Sequence, residues 1–544
     1  EITTRLVGSE MCIRDRKKYI LSICTLAAVC LGSVAVTSCS EPDDINDLVL
    51  NRVLSPTGIT ARISQEVNII VSWNEMSGAT SYELEVYADS PDYDQRTPDA
   101  SYTTTLTEKT LTNLIGETDY YIRVRAIDEN NSSRTSKWVD IKRTTNPEQN
   151  MKKVKAGDIQ STSVKVTWTP GIEVDAVICA PTTANSSANT VTYTLNSTDI
   201  SSGSATITGL TPETNYRATL KLGEKTRGYS TFTTNLDLSD AIELTPADDW
   251  VSAIQDATPG SKFALTPGEY VLTAAKLQIN NNVVIAAKNS AEPPVINTCI
   301  HIYNGASLYL YQVVLDGTNT DGSQAIEYKK EGGFGDLTIN GCEIRNYIKG
   351  LIYINVAAVP NTIKIENSLI HDIVCDGGDF IDSRKGGWNN LTISSSTIYN
   401  SASKRDVLRA DDASNSVTAN MVTSIDKCTF YNVGNGEANY RFFYLRFKGN
   451  TNTFTNNVIA NFNNKRGFAN SSAVGKPTYS NNYYYNCKNL ISLAEGNTDT
   501  TVTCFDTEGN VLENNPFANP DKADFTITDE LYQSYGFGDP RWLP

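Results

Sequence analysis

A repeat in the C-terminal half of this 544-residue chain constrains the fold more than any other feature of the sequence. Apolar or aromatic anchors recur at intervals of 29, 26, 28, 32, 29 and 25 residues. Another apolar residue follows most anchors five positions later, and Asn or Asp stands seven positions later in six of seven repeats. The anchors are Leu310, Ile339, Ile365, Ile393, Ile425, Phe454 and Tyr479. Such irregular spacing with alternating apolar positions predicts the coils of a three-sided parallel β-helix rather than a helical solenoid.

Stacking explains why the repeat has these residues. Each coil is expected to pair with the next at about 4.8 Å, so that like side chains form columns inside the stack. An Asn at the seventh position tolerates a left-handed backbone and can bond to the coils above and below. Cys342 and Cys428 share the third position with Ser368 and Ser396, which favours a column of small buried residues over redox chemistry.

The ends of the repeat region carry recognisable segments. Residues 248–254 read as a short amphipathic capping helix, and Pro267-Gly268-Glu269-Tyr270 turns the chain into the first coil. This opening resembles the start of pectin-lyase-like β-helices, and residues 515–542 resemble the closing segment of Bacteroidetes β-helix lipoproteins. The resemblance spans most of residues 240–544 and implies a right-handed parallel β-helix with ligands along one outer face.

Two stretches before the repeat, residues 51–146 and 151–236, alternate short strands and turns. Each has a tryptophan in an apolar strand and a tyrosine after a turn, Tyr120 and Tyr216, which can bond back to upstream backbone at the end of a β-sandwich. Both stretches resemble fibronectin type III domains, which we expect to act as spacers without a catalytic role. The predicted fold class is all-β: two fibronectin type III-like β-sandwiches followed by a right-handed parallel β-helix.

The N-terminus has the pattern of an export signal. A basic stretch precedes an apolar run over residues 19–36, and Val36-Thr37-Ser38-Cys39 closes that run. This resembles a bacterial lipoprotein signal peptide and implies lipidation of Cys39. A transmembrane helix is the alternative, but the run is short and has no basic flank after it. Residues 1–39 are thus upstream sequence and signal peptide, and the acidic linker 40–50 resembles the signal that sends Bacteroidetes lipoproteins to the outer face of the outer membrane.

Composition excludes several functions. A formal net charge of -16 argues against nucleic acid as a partner, because nucleic-acid binding draws on clustered Lys and Arg. Only two histidines, His301 and His371, are present, which argues against histidine triads and multi-histidine metal sites. The cysteines after Cys39 are widely spaced with no C-x-x-C, which predicts buried free thiols.

Charged residues on successive coils are candidates for polysaccharide chemistry. Arg384 and Lys385 lie about one coil before Arg409. Cleavage of a polyuronate by β-elimination needs a cation near the uronate carboxylate and a base for the adjacent proton. Lys and Arg side chains can supply both, although a solvated charged turn is the alternative interpretation.

The same stretches resemble the alginate lyase and chondroitinase B family. This resemblance implies that Lys385 is the base, that Arg409 is the acid or carboxylate clamp, and that Asp379 and Asp382 hold a calcium ion. The chain departs from the family pattern, because the family's two glutamates are absent and Ala410 stands where a histidine commonly follows the arginine.

Aromatic and basic side chains on neighbouring coils are candidates for ligand binding. Outward rings stack against the faces of sugars, and interleaved arginines suit an anionic glycan. In F-F-Y-L-R-F at residues 442–447, alternate members must point inward as core. The substrate-binding candidates are Arg384, Trp388, Tyr440, Arg441 and Arg446.

Three functions remain open at this point. In the first, a lipid-anchored surface protein binds complex polysaccharide near glycan-uptake proteins without cutting it. In the second, the β-helix is a polysaccharide lyase. In the third, the chain is an adhesin or a structural spike without groove chemistry.

Overall fold

Backbone pairing in the C-terminal half follows the register that the repeat predicts. The computed structural model describes residues 52–543 except 183–188, 412–415, 418–419, 448 and 471–474. Every anchor pairs in parallel with the next, from Leu310 with Ile339 to Phe454 with Tyr479. The residues five positions later pair in the same way, from Leu315 with Ile344 to Ile459 with Tyr484. The predicted parallel β-helix is confirmed.

Three stacks of parallel strands form the walls of the β-helix. Sheet 1 comprises Ile242–Leu244, Ser261–Leu265, Val283–Ala287, Leu308–Tyr311, Leu337–Asn340, Thr362–Glu366, Asn390–Ser394, Met421–Asp426, Asn450–Thr455 and Thr478–Ser480. Sheet 2 comprises Val314–Asp316, Glu343–Arg345, Leu369–His371, Thr397–Tyr399, Thr429–Tyr431, Val458–Ala460, Tyr483–Tyr485 and Asn510–Val511. Sheet 3 comprises Ile326–Tyr328, Ile352–Ile354, Ile381–Ser383, Leu408–Ala410 and Phe443–Leu445. Two long strands, Glu269–Ile279 and Val295–Ile302, run through both sheet 2 and sheet 3.

Residues with a left-handed backbone turn the chain on either side of sheet 2. They stand two positions after the anchors, as at Gln312 and Asn367, and seven positions after them, as at Asn432. At the seventh position, the Asn486 amide donates to Asn461 Oδ1 at 2.7 Å and the Asn461 amide donates to Asn432 Oδ1 at 3.0 Å. The predicted asparagine ladder is therefore confirmed in these coils.

Small polar side chains fill the interior corner at the third position. The Cys342 amide donates to Ser368 Oγ at 3.2 Å, and the Ser368 amide donates to Ser396 Oγ at 3.1 Å. Burial raises the pKa of the Cys342 thiol to about 12, so the thiol stays protonated at neutral pH. The seven described cysteines are free, and all but Cys487 are buried, as predicted.

Separate elements cover the N-terminal end and one side of the stack. The helix Trp250–Gln255 begins after Asp249, whose carboxylate accepts from the Ser252 amide, and it buries Trp250 and Ile254 against the first coils. The C-terminal segment includes Phe517–Asn519, Asp524–Ile527, the helix Glu530–Tyr535 and the 3₁₀ helices Pro520–Lys522 and Pro540–Trp542. Its aromatic residues pack on the outer face of sheet 2. The remaining paired strands are Gly332–Phe334 with Ala358–Pro360, and Ala469–Asn470 with Val502–Cys504.

Two β-sandwiches precede the β-helix, and the chain divides into compact units after Asn146. The first sandwich contains Thr60–Ser64, Asn68–Ser72, Ser81–Ala88, Ala100–Thr104, Glu108–Leu111, Asp119–Ile127 and Val139–Thr144, with the 3₁₀ helix Ser132–Arg134. The second contains Ser163–Thr167, Ala176–Pro181, Val191–Thr194, Ser204–Thr208, Asn215–Leu222 and Lys225–Thr233, with the helix Ser197–Ser202 and the 3₁₀ helix Ala156–Asp158. The Ile115 amide donates to the Tyr120 hydroxyl at 2.9 Å and the Thr211 amide donates to the Tyr216 hydroxyl at 3.1 Å, so both predicted tyrosine corners form.

No helix in the described part of the chain is long and apolar enough to span a bilayer. Cys39 and the export signal lie outside the described residues.

A buried amide in the last coils offers a test of the stacking. Asn482 Oδ1 accepts from the Asn457 backbone at 3.0 Å, while its Nδ2 donates to the Phe454 carbonyl at 2.7 Å and to Asp506 at 3.0 Å. Asn482→Ala leaves these buried partners unpaired, so we expect a loss of at least about 2 kcal/mol in the free energy of unfolding of the β-helix. Denaturant titration followed by hydrogen exchange at residues 454–458 measures it.

The matched control is Asn486→Gly. This change removes an exposed ladder amide but keeps a residue that accepts the left-handed backbone, and we expect it to cost less than about 1 kcal/mol. Equal losses in the two variants would contradict the role given to the buried column.

Candidate functional site

The outer face of sheet 3 places one outward side chain per coil in a single column. The outward residue is the middle one of each short strand, and its two neighbours are buried in the core in most coils. Strand register aligns His301, Glu327, Tyr353, Asp382, Arg409 and Tyr444. The predicted residues Asp382 and Arg409 therefore lie on adjacent coils, about 4.8 Å apart along the stack.

Arg384 covers the carboxylate of Asp382. Its Nε lies 3.0 Å from Asp382 Oδ1 and its Nη2 lies 2.9 Å from Oδ2, and the same Nη2 is 3.6 Å from Asp379 Oδ2. The Asp382 side chain is buried, whereas a third of the Arg384 side chain is exposed. Arg384 therefore presents part of its guanidinium on the face while pairing with two carboxylates behind it.

Arg409 is held in the same way on the next coil. Its Nη2 donates to Asp411 Oδ2 at 2.8 Å and its Nη1 lies 3.4 Å from Asp379 Oδ2. These carboxylates, Asp411 foremost, raise the pKa of Arg409 although burial opposes them. The guanidinium is fully charged and fixed in position.

Arg441 lies behind the face rather than on it. Only 7% of its side chain is exposed, and it donates to Asp406 at 2.9 Å and to Asn470 at 3.1 Å. Its guanidinium carbon is 3.6 Å from the centre of the Tyr444 ring, so it supports that ring. Arg441 precedes the strand Phe443–Leu445 and is buried, so the structure gives it a supporting position, and its contact with a ligand stays a prediction.

Tyr444 is the aromatic centre of the face. Phe443 and Leu445 point into the core and leave Tyr444 outward and half-buried. Besides Arg441, the guanidiniums of Arg409 and Arg446 lie 5.4 and 5.6 Å from its ring centre. Arg446 is 44% exposed and 3.4 Å from Asp411, which makes it the most accessible arginine of this group. We call Arg384, Arg409, Tyr444 and Arg446 the arginine face.

Trp388 is not available to ligand. Its side chain is 0% exposed, and its indole nitrogen donates to Thr423 Oγ1 at 3.2 Å. Gly386 and Gly387 precede it, and a side chain on either would collide with neighbouring residues, so this segment packs closely enough to place the indole in the core. Trp388 is therefore a core residue in this structure, and its contact with substrate stays a prediction.

The other candidates lie apart from the centre of the face. Lys385 is exposed two positions after its strand, and no hydrogen bond or ion pair among the described residues joins its side chain to Arg409. Tyr440 is half-buried, and Arg405 lies 5.9 Å from its ring centre. The structure therefore brings Arg384, Arg409 and Arg446 together but does not assemble the predicted base with the predicted acid.

Three carboxylates on two successive coils, Asp379, Asp382 and Asp406, lie behind the arginines. The Asp406 amide donates to Asp379 Oδ1 at 3.1 Å, and the Arg441 amide donates to Asp406 Oδ1 at 2.7 Å. Burial, together with the like charges of Asp382 and Asp406, raises the pKa of Asp379 to about 6, while Arg409 opposes the shift. Burial also raises the pKa of Asp406 against the attraction of Arg441.

The predicted calcium site does not fit these residues. Ca²⁺ takes about six to eight oxygen ligands, yet Asp379 and Asp382 are buried and accept from guanidinium and backbone groups. The described residues contain no group of three or more His, Cys, Asp or Glu side chains placed to hold a metal ion.

A polar cleft of about 440 Å³ lies among the loops beside the arginine face. Glu437 and Lys488 pair across it at 3.1 Å, and Asp499 lies 3.5 Å from Arg466, whose backbone amide donates to the Tyr440 carbonyl. Asn463 lines the cleft, and its buried Oδ1 accepts no hydrogen bond from the described residues. We call it the loop cleft. Its groups suit hydroxyl-rich ligands.

Sequence reasoning missed several residues of this site. Asp411 and Asp406 are not among the candidates from the sequence, but they are the partners that fix Arg409 and Arg441. Tyr444 belongs to the aromatic segment 442–447 that the sequence indicates, and strand alternation leaves it outward between Phe443 and Leu445. No pattern in the sequence indicated the loop cleft, because its residues come from loops that do not repeat.

Comparisons with known proteins divide the chain into three matched regions. Residues 54–142 match the fibronectin type III domain, residues 268–401 match a domain of unknown function (DUF4957), and residues 423–542 match a second domain of unknown function (DUF5123). The chain thus contains a fibronectin type III domain and two domains without an assigned activity. No curated protein matches it.

Two solved structures are similar to part of the chain. A two-domain fibronectin type III segment from chicken tenascin is 18% identical, with a TM-score of 0.26, over 34% of this chain and 99% of that chain. A structure described as FN3tt mut is 27% identical, with a TM-score of 0.14, over 17% of this chain and 93% of that chain.

The raised pKa of Asp379 predicts a pH dependence of stability. The folded value of about 6 lies above the ordinary value of about 3.9, so the folded chain binds more protons between these values. This contribution to stability is present at low pH and is lost as the pH rises from about 4 to about 6. Asp379→Asn should remove that component, as measured by thermal unfolding across this range.

The control is Asp376→Asn, which changes an exposed carboxylate on the preceding loop that pairs with Lys404. Its stability should follow the same pH curve as the unaltered chain. An Asp379→Asn curve parallel to that of the unaltered chain would show that the buried carboxyl does not titrate as described.

Proposed function

We propose that this protein binds anionic polysaccharide on the arginine face of its β-helix and does so without cleaving it. One observation carries the proposal: three guanidiniums surround an outward tyrosine on adjacent coils of a chain whose net charge is -16. Arginine forks match the geometry of carboxylate and sulfate groups, and a tyrosine ring supports the apolar face of a sugar.

The arrangement suits binding to a polymer. Coils repeat at about 4.8 Å, so equivalent outward positions recur along the stack and can contact successive parts of an extended chain. The loop cleft adds hydroxyl-binding groups next to Tyr440. Carboxylates hold the arginines in place before ligand arrives, which lowers the entropy lost on binding.

The proposal includes a location. The lipobox at Cys39 and the acidic linker after it support a lipid anchor on the extracellular face of the outer membrane, with the sandwiches as spacers between anchor and β-helix. In this position the protein would hold polymer near glycan-uptake proteins.

Charge reversal at the most exposed arginine tests the binding face. We expect Arg446→Glu to weaken binding to alginate, pectate or chondroitin sulfate at least about tenfold, because about 1.4 kcal/mol of attraction is lost or reversed. Affinity electrophoresis through gels containing each polymer measures the change.

Lys288→Glu is the matched control. Lys288 is also an exposed cation paired with a carboxylate, Glu243, so the two variants change the net charge equally. Lys288→Glu should bind within about twofold of the unaltered chain. Equal weakening in both variants would mean that only overall charge matters and would refute the assignment of the arginine face.

Cleavage is tested separately by ultraviolet absorbance of the unsaturated uronate that β-elimination forms. We expect no rise with any of the three polymers, because carboxylates occupy the Arg409 guanidinium and Lys385 is not assembled with it. A rise that disappears in the Lys385→Ala and Arg409→Ala variants would instead support the lyase.

A further inference from the structure

Two adjoining cavities of about 720 and 570 Å³ lie where the second sandwich meets the β-helix. Neither cavity is lined by a residue of the arginine face. The residues that line both cavities are Ala156, Asn215 and Thr233 from the sandwich side and Gln312, Gly341 and Asn367 from the β-helix. We call this space the junction cleft.

The β-helix wall of the junction cleft is built by the repeat itself. Gln312, Gly341, Asn367 and Ser395 are the second-position residues of four successive coils, and all have a left-handed backbone. At about 4.8 Å per coil this wall extends about 14 Å, the length of a short oligosaccharide. A side chain at Gly341 would lie 3.0 Å from Gln312 Cγ, so glycine leaves room for the Gln312 amide.

Amide groups supply the hydrogen bonds of the cleft. Gln312 and Asn215 make no side-chain hydrogen bond within the described residues, and Asn367 uses only its Nδ2, which donates to Asn340 Oδ1 at 3.2 Å. An amide both donates and accepts, which matches sugar hydroxyls. Phe232, Val313 and Leu369 add apolar surface between the amides, a mixture typical of small-ligand sites at domain junctions.

The charged groups of the cleft already have partners within the protein. Lys364 pairs with Glu366 at 2.7 Å, Arg541 pairs with Asp539 at 2.8 Å, and Lys153 donates to the Leu543 carbonyl at 2.7 Å. A charged ligand would have to compete with these contacts, whereas a neutral one would not. The lining therefore favours an uncharged ligand.

Contacts on two sides hold the walls in place. On one side Tyr309 donates to Glu213 at 2.8 Å and Tyr311 donates to Asn235 at 3.1 Å, with Leu236 packed on Tyr311. On the other side the bond from Lys153 to Leu543 joins the sandwich to the C-terminal segment. These contacts fix both walls of the cleft, so that little ordering is needed on binding.

We propose that the junction cleft is a second carbohydrate site that binds a neutral oligosaccharide through the amides of Asn215, Gln312 and Asn367. The site is independent of the arginine face. It gives the second sandwich a role in ligand binding in addition to its role as a spacer.

The test measures binding of cello-, xylo-, manno- and galacto-oligosaccharides to the protein by titration calorimetry and ligand-observed NMR. We expect at least one of these neutral series to bind, and the Asn215→Ala/Gln312→Ala double variant to bind it at least tenfold more weakly. Thr233→Trp, which fills the cleft from an exposed position, should have the same effect. Ligand should also slow hydrogen exchange at residues 213–215 and 312–314.

Two controls separate this site from the arginine face. Gln278→Ala removes an exposed amide elsewhere on the β-helix and should leave neutral-sugar binding unchanged. Arg446→Glu should also leave it unchanged, whatever happens to alginate binding. The proposal is overturned if none of the four series binds at about 10 mM, or if the double variant and Thr233→Trp both bind as tightly as the unaltered chain.

Discussion

Parallel pairing of each coil with the next is the constraint on which the β-helix depends. It requires that the chain return to the same register after every turn, whatever the loop length, and residues with a left-handed backbone on either side of sheet 2 make this return possible. Once register is fixed, like residues stack on like. The interior becomes aliphatic and aromatic columns, and buried polar side chains at the third position bond to the backbone of the neighbouring coil. The same repetition sets outward side chains about 4.8 Å apart, which produces both the arginine face and the amide wall of the junction cleft.

Charge is distributed unevenly over this framework. Buried carboxylates are costly unless they are paired, and the structure places Asp379, Asp382 and Asp406 where guanidiniums and backbone amides compensate them. The negative charge of Asp379 is only partly compensated. Its pKa of about 6 reflects burial and the two neighbouring carboxylates. The same carboxylates fix the orientation of the arginines. An exposed arginine on a loop would lose side-chain entropy on meeting a ligand, whereas Arg409 has already lost it.

The sequence predicts the backbone register accurately but much of the site poorly, and the reason is physical. The anchors are defined by burial in a repeating interior, so every predicted pair from Leu310 to Tyr479 occurs as expected. The tyrosine corners depend on short-range turns and also form. By contrast, Trp388 and Arg441 lie outside the strands, where the period of two no longer tells inside from outside, and both are buried. The direction of the Lys385 side chain could not be predicted for the same reason. Lys385 lies two residues after the end of a strand, where loop geometry decides which way a side chain points.

An acidic protein can bind an anionic polymer because charge acts locally in salt. The Debye length at physiological ionic strength is about 8 Å, so most of the carboxylates behind the net charge of -16 are screened from a ligand on sheet 3. A ligand on sheet 3 would contact the charges nearest to it. These are Arg384, Arg409 and Arg446 and the carboxylates paired with them. Under the proposed function, the overall negative charge opposes adsorption of polyanions on the rest of the surface, while the arginines allow binding on sheet 3. Selectivity for one polymer would then depend on this difference between the arginine face and the rest of the surface, as well as on the arginines themselves.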